Sequence, residues 1–402
     1  MKFIDLAAQQ KRIREEIENS IQKVLNHSQY IMGPEINELE KKLAEFIVVK
    51  HAISCSSGTD ALLLSLMAFN IGPGDAVFTT PFTFIATAEV ISFLGATPVF
   101  VDIDSRTFNM DPGKLEQAIL ALKANDPKPH PLPITQLKTS ITPRGIIAVD
   151  LFGLPADYDR INTIAQKHEM FVIGDAAQSF GSEYKGKKSC SLADVACTSF
   201  FPAKPLGCYG DAGMCFTDNK SIAEIMESIR IHGKGNHQYD NVRIGINGRM
   251  DTLQAAILLA KFEIFPEEIE RRGKIAKAYS DLLSYDNSDI VIPYVPEGYK
   301  SAWAQYSLLA KDENHRLEIQ TRLKGENIPT AIYYPKPLHL QTAFDSLSYK
   351  KGDFPISEDI SNRIFSLPMH PYLNEKDQKQ ITNTIKTSQV LKYLKYPQKV
   401  IQ

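Results

Sequence analysis

Between about residue 50 and residue 220 short apolar runs alternate with helical patterns, and this alternation constrains the chain more than any other feature. HAISCSS (His51–Ser57) is β-prone and leads into TDALLLSLMAF, whose leucines fit a helix with a buried face. Asp75–Thr80, a helix around Ala86–Leu94 and Thr97–Ile103 come next. Asp111-Pro112 opens a further helix, with the acid as N-cap and the proline at the first helical position. Gly145–Phe152, a helix from Asp157 to His168, Met170–Ala177 and Val195–Phe201 complete the series. Strands that read as unbroken apolar runs, joined by helices, predict an α/β chain whose mostly parallel sheet is covered on both faces.

Around this core the pattern changes. Residues 1–45 are helical and amphipathic (RIREEIENSIQKVL, then EINELEKKLAEFI). Residues 123–140 hold four prolines in eighteen residues, which marks a surface excursion. After about residue 250 the chain turns helix-rich, and from about 290 it mixes short strands with helices. The organisation expected is a large α/β domain over 1–250, then a linking helix and a smaller α+β domain over 251–402. A net charge of −2 with scattered basic residues speaks against nucleic acid or an anionic membrane as partner. No apolar stretch reaches the length of a membrane helix, and MKFIDLAAQQKR lacks the apolar core of a secretory signal, so a cytoplasmic protein is expected. The five cysteines are odd in number and show no CxxC spacing, as buried inert thiols would.

Ligands of a parallel α/β sheet collect beyond the carboxyl ends of its strands. Asp175, in FVIGDAAQ, stands at such an end. Many acids there merely cap the next helix; others face a charged ligand atom. Lys204, in SFFPAKPLGCYGDAG, lies between Pro202 and Pro205 just past an apolar strand. The prolines put it on a stiff loop, and the glycines at 207, 210 and 213 allow close reversal around it. An isolated lysine is usually a solvated charge; one on a rigid loop beside Asp175 suits catalysis. SSGTDALLL forms a strand-to-helix turn whose free N–H groups and dipole suit a phosphate.

SSGTDAL, PFTFIATAE, GATPVFVDID, GDAAQSFG, SFFPAKPLGCYGDAG, NGRMDTLQAAIL and SLPMHPYL occur in the order seen in the DegT/StrS-type sugar-nucleotide aminotransferases. From about residue 3 to about residue 385 the chain resembles that family, most of all its UDP-2-acetamido-2-deoxy-ribo-hexuluronate (3-keto sugar) members. The resemblance implies the aspartate aminotransferase-like fold of type I pyridoxal 5'-phosphate (PLP) enzymes, with pyridoxamine 5'-phosphate as the intermediate form of the cofactor. Lys204 matches the Schiff-base lysine, which also moves the proton, and Asp175 the acid paired with the pyridine nitrogen. Gln178 matches a residue near the ring's phenolic oxygen, and Phe84 the aromatic stacked on the ring. Gly58, Thr59 and Ser199 match the phosphate cup. Asn247 and Arg249 match residues that reach the neighbouring subunit's site, which implies a homodimer with composite sites. Arg249 suits a carboxylate, its fork making bidentate pairs, although an arginine pairing across the dimer interface is the plainer role. The implied reaction moves the amino group of L-glutamate to the keto group of a nucleotide-linked, preferably UDP-linked, sugar used in surface polysaccharides.

Three departures bear on the sugar. YYPKPLHLQ has Tyr333 where a histidine is frequent, while Tyr334 and His339 remain; VDLFG has Asp150 where many relatives have histidine; and the 123–140 excursion is absent from the hexuluronate enzymes. Rival readings are weaker. The related PLP-dependent dehydratases replace the lysine by histidine. A dinucleotide-binding fold would open on GxGxxG, which SCSSGTDA lacks. A regulatory or sensor protein that only binds the cofactor would have no use for Asp175, Gln178 and Lys204 together.

Overall fold

The structure is a computed structural model that describes residues 1–134, 141–237, 239–284 and 289–395, the stretch beyond 386 through its backbone alone. Its centre is a seven-stranded sheet of β1 (His51–Cys55), β2 (Asp75–Thr79), β3 (Thr97–Phe100), β4 (Thr142–Val149), β5 (Phe171–Asp175), β6 (Val195–Ser199) and β7 (Gly213–Thr217). The spatial order is β1-β7-β6-β5-β4-β2-β3. The strands from β6 to β3 pair in parallel, as the apolar runs predict. β7 is antiparallel to both its neighbours. The reason is its connection: β6 returns through the short lysine loop rather than a helix, and parallel neighbours need a long crossover.

Helices cover both faces. α4 (Gly58–Ala68), α5 (Ala86–Phe93) and α8 (Lys220–Ile229) bury leucines, isoleucines and Met226 against one face. α3 (Pro34–Ile47) and α9 (Thr252–Phe262) pack on the other over β1, β6 and β7; α6 (Pro112–Ala124) and α7 (Tyr158–Lys167) pack there over β2, β3 and β4. α6 opens as expected, Asp111 accepting from the Gly113 and Lys114 N–H groups with Pro112 behind it. α1 (Leu6–Arg12) and α2 (Arg14–His27) lie at the N-terminus, and α2 packs on α9. All five cysteines are free and buried, and burial pushes the Cys190 and Cys208 thiols up, which leaves them poor nucleophiles.

A second core lies in the C-terminal part. β8 (Tyr306–Leu309) pairs antiparallel with β9 (Ile364–Leu367), and α11 (Glu313–Gly325) and α13 (Glu375–Lys395) pack against this pair. The nineteen-residue helix α10 (Phe265–Leu283) serves both cores, Phe265 in the first and Tyr279 and Leu283 in the second. Asp102, just past β3, accepts from the Ile356 and Ser357 N–H groups and so caps α12 (Pro355–Arg363) across the boundary.

The excursion after α6 turns back onto the molecule. The His130 ring nitrogen lies 2.8 Å from the Phe100 carbonyl, and the Ile134 N–H donates to Leu347. Residues 135–140 of the predicted excursion lie outside the described residues.

Candidate active site

Since β1, β2, β4, β5 and β6 run the same way, their carboxyl ends open on one side of the sheet. A cavity of about 670 Å³ lies there. Ser57–Thr59 follow β1, Thr83 and Phe84 follow β2, Asp175 ends β5, and Ser199 and Lys204 end and follow β6. Gln305, Tyr333 and Tyr334 from the C-terminal part close it, with Ile4 from the N-terminus. That volume suits a small-molecule site.

The lysine loop is held by its own backbone. The Phe200 N–H donates to Ala212, Cys208 to Phe200 and Lys204 to Phe201. A Cβ on Gly207 would lie 2.5 Å from the Pro202 carbonyl oxygen, so only glycine lets the loop close this tightly. Burial lowers the proton affinity of the Lys204 amine, while Asp175 raises it. An amine eased toward its neutral form is a readier nucleophile than an exposed lysine.

Asp175 is 7 % exposed, and burial pushes its carboxyl above the usual range. Against this the Thr87 hydroxyl donates to Oδ2 at 2.7 Å, the Ala177 N–H donates to Oδ1 at 3.2 Å, and the Lys204 charge helps. A desolvated carboxylate of this kind is a strong partner for a cationic nitrogen in the cavity.

The strand-to-helix turn after β1 is present as the sequence suggests. Ser57 caps α4 by accepting from the Asp60 N–H at 3.0 Å, and Ser56 bonds the Asp60 carboxylate. By helix geometry the N–H groups of Gly58 and Thr59 have no intrahelical acceptor, and both residues line the cavity. A Cβ on Gly58 would lie 2.6 Å from Ser199 Cβ, so the glycine lets the Ser199 hydroxyl join the same cradle. These donors at a helix N-terminus fit a phosphate group.

Gln178 is fixed at both ends of its amide. The Phe152 N–H donates to Oε1 at 2.8 Å, and Nε2 donates to the Tyr334 hydroxyl at 3.2 Å. Phe84, 55 % exposed, presents its ring to the cavity 6.5 Å from that of Tyr334. Tyr333 and Tyr334 are joined by a cis peptide, and the Tyr333 ring lies beside Phe3. Deeper still, burial raises the Asp150 carboxyl to about 7, although the Ala156 N–H and the Ser179 and Tyr158 hydroxyls stabilise its charge.

Three residues named from the sequence lie elsewhere in the chain. His339 is buried against Phe354, its Nε2 3.0 Å from Glu358, and does not line the cavity. Its turn packs inward, with Leu338 buried beside it. Asn247 is exposed and pairs its backbone with Ile231; neither it nor Arg249 lines the cavity of its own chain. Conversely, Thr83, Thr87, Asp211 and Gln305 belong to the site or support it and were not singled out. The first turn of α5, which follows β2, could have pointed to the threonines; nothing local marks Gln305.

A doubly covered α/β sheet with an amine, a buried carboxylate and an anion cradle at its strand ends defines a class of group-transfer enzyme. The model of the DegT/DnrJ/EryC1/StrS aminotransferase family matches residues 11–386, and the chain belongs to that family. It is 47 % identical over 376 residues, 93 % of this chain and 96 % of the relative, to UDP-2-acetamido-2-deoxy-3-oxo-D-glucuronate aminotransferase of Pseudomonas aeruginosa. Among solved structures it is similar to a DegT DnrJ EryC1 StrS aminotransferase from Brucella abortus, with a TM-score of 0.90 and 47 % identity over 96 % of this chain and 99 % of the other. It is also similar to NtdA from Bacillus subtilis with the cofactor PMP bound, with a TM-score of 0.83 and 27 % identity over 96 % of this chain and 83 % of the other. The fold is thus the type I α/β architecture that the sequence implied.

Proposed function

We propose that the protein transfers the amino group of L-glutamate to the keto group of a UDP-linked 3-keto hexuronate or a closely related sugar, with PLP as cofactor. The observation that carries this reading is that Lys204 and Asp175 line one cavity with the Gly58–Ser199 cradle. The similarity to the Pseudomonas enzyme supports the sugar, and the PMP-bound relative supports the cofactor.

PLP, when bound, supplies an electron sink that weakens the bond from the amino acid's α-carbon to its hydrogen. Lys204 would hold the cofactor, and its amine, left more readily unprotonated by burial, would be the group that accepts the α-proton and returns it. Asp175 supplies the counter-charge that keeps the ring nitrogen protonated. The N–H groups of Gly58 and Thr59 and the Ser199 hydroxyl hold the phosphate. Phe84 packs its ring on the cofactor, and Tyr333 and Tyr334 face the sugar.

The working unit in this reading is a homodimer with shared sites. Lys204 is the one cation lining the cavity among the described residues, beside two carboxylates, Asp175 and Asp211. Glutamate, a diphosphate and a uronate together need more positive charge than that. Arg249 has a buried Nε without a partner among the described residues, and the adjoining segment exposes Tyr239 (88 %) and Ile244 (86 %). A second copy would cover these side chains and receive Arg249 in its own cavity. The division into a PLP-binding part over 1–250 and a smaller part over 251–402 belongs to the same proposal.

The test is spectroscopic. Apoprotein given PLP should gain a visible band, lose it on adding glutamate, and regain it with the right keto-sugar nucleotide from a panel. A protein that stays colourless with PLP refutes the reading.

A further inference from the structure

Asp150 stands outside the cavity, fully buried, and three donors converge on it. Oδ1 accepts from the Ala156 N–H at 2.9 Å and the Tyr158 hydroxyl at 3.0 Å, and Oδ2 accepts from the Ser179 hydroxyl at 2.7 Å. Its own N–H donates to the Asp175 carbonyl at 3.1 Å. What separates it from an ordinary loop aspartate is where these partners lead. Ser179 directly follows Gln178. Ala156 closes the turn that contains Phe152 (φ 59°) and Gly153 (φ 101°), and Phe152 N–H is the donor on Gln178 Oε1. One carboxylate therefore ties the segment that carries Gln178 to the turn whose N–H holds its amide oxygen.

The consequence is an orientation. A backbone N–H can be met only by the amide oxygen, so the Gln178 nitrogen must face the other way. That nitrogen spends one hydrogen on the Tyr334 hydroxyl, and the second has no acceptor among the described residues. We propose that Asp150 is a positioning residue that holds Gln178 with its donor, never its acceptor, toward the phenolic oxygen of the cofactor ring. This rests on the PLP reading above. The Asp150 side chain touches neither cofactor nor substrate; it acts through the Phe152 turn and Ser179.

The experiment reads the bound cofactor rather than turnover. A donor on the phenolic oxygen draws off charge that otherwise holds the proton of the neighbouring nitrogen. Gln178→Ala should therefore move the pH midpoint of the visible band upward and weaken PLP binding about three- to tenfold, as the loss of one hydrogen bond does. Asp150→Asn should shift both in the same direction, and Asp150→Asn/Gln178→Ala should do no more than Gln178→Ala alone, since both act on one interaction. A wild-type titration in Asp150→Asn, an unmoved band in Gln178→Ala, or multiplying effects in the double variant would overturn the proposal. Should Asp150→Asn apoprotein fail to melt cooperatively, Ser179→Ala decides. It removes one donor from Asp150 and should shift the midpoint upward by a smaller amount; no shift overturns the proposal. A wild-type protein that gains no band with PLP refutes the cofactor reading instead, so the two failures are distinct.

Discussion

Asparagine at position 175 would keep the shape of the side chain and the Thr87 bond but remove the charge that, in the proposed function, faces the ring nitrogen. Breaking a buried charge pair of this kind costs a factor on the order of 10² to 10³, and that is the expected fall in kcat for Asp175→Asn, measured in single-turnover reactions with glutamate. The apoprotein should move the other way. Without the cofactor's cation, Thr87, Ala177 and Lys204 compensate the buried carboxylate only in part, as its raised proton affinity records, so the variant should melt no lower than wild type. A drop in both activity and apoprotein melting temperature would make Asp175 structural. The same logic applies to Lys204: burial makes the free amine costly to protonate, which favours the neutral state that the proposed covalent chemistry needs.

At the level of the element, the α4 turn makes the sharpest demand. Gly58→Ala places a Cβ 2.6 Å from Ser199 Cβ, and β6 or the helix must yield. Overpacking of this sort costs about 1–3 kcal/mol. Melting should report that loss, and PLP affinity should fall further than affinity for pyridoxal, which lacks the phosphate; equal losses would deny the cradle its role. The elements themselves were largely legible. Strands buried on both faces show as apolar runs, which is why β1 to β6 could be read directly. β7 escaped because it follows a glycine-rich return with no helix before it, so its five residues carry no α/β rhythm. The placing of Lys204 and Asp175 in one cavity was legible for a related reason: both residues sit within a few positions of a strand end. Gln305 and Ile4 reach the cavity from distant parts of the chain, and only tertiary packing can bring them there. His339 shows the opposite case: its motif neighbours Tyr333 and Tyr334 line the cavity while its own ring packs on Phe354.

For the whole molecule the decisive question is whether each cavity is completed by a second chain. If Arg249 serves the neighbouring site, mixing Lys204→Ala and Arg249→Ala subunits creates dimers with one doubly damaged site and one intact site. Random pairing should then restore about a quarter of wild-type activity from two inactive stocks. If Arg249 serves its own chain, the mixture stays inactive. The edges of the sheet matter at this scale too. β3 is an edge strand, and an unpaired edge is a template on which another chain can add itself. Here Pro98 removes one N–H from that edge, the Tyr349 hydroxyl accepts from the Phe100 N–H, and His130, from the proline-rich excursion, meets the Phe100 carbonyl. The excursion and Tyr349 together thus hem the sheet: with the groups that would recruit a further strand occupied, the edge offers no template for polymerising along that side.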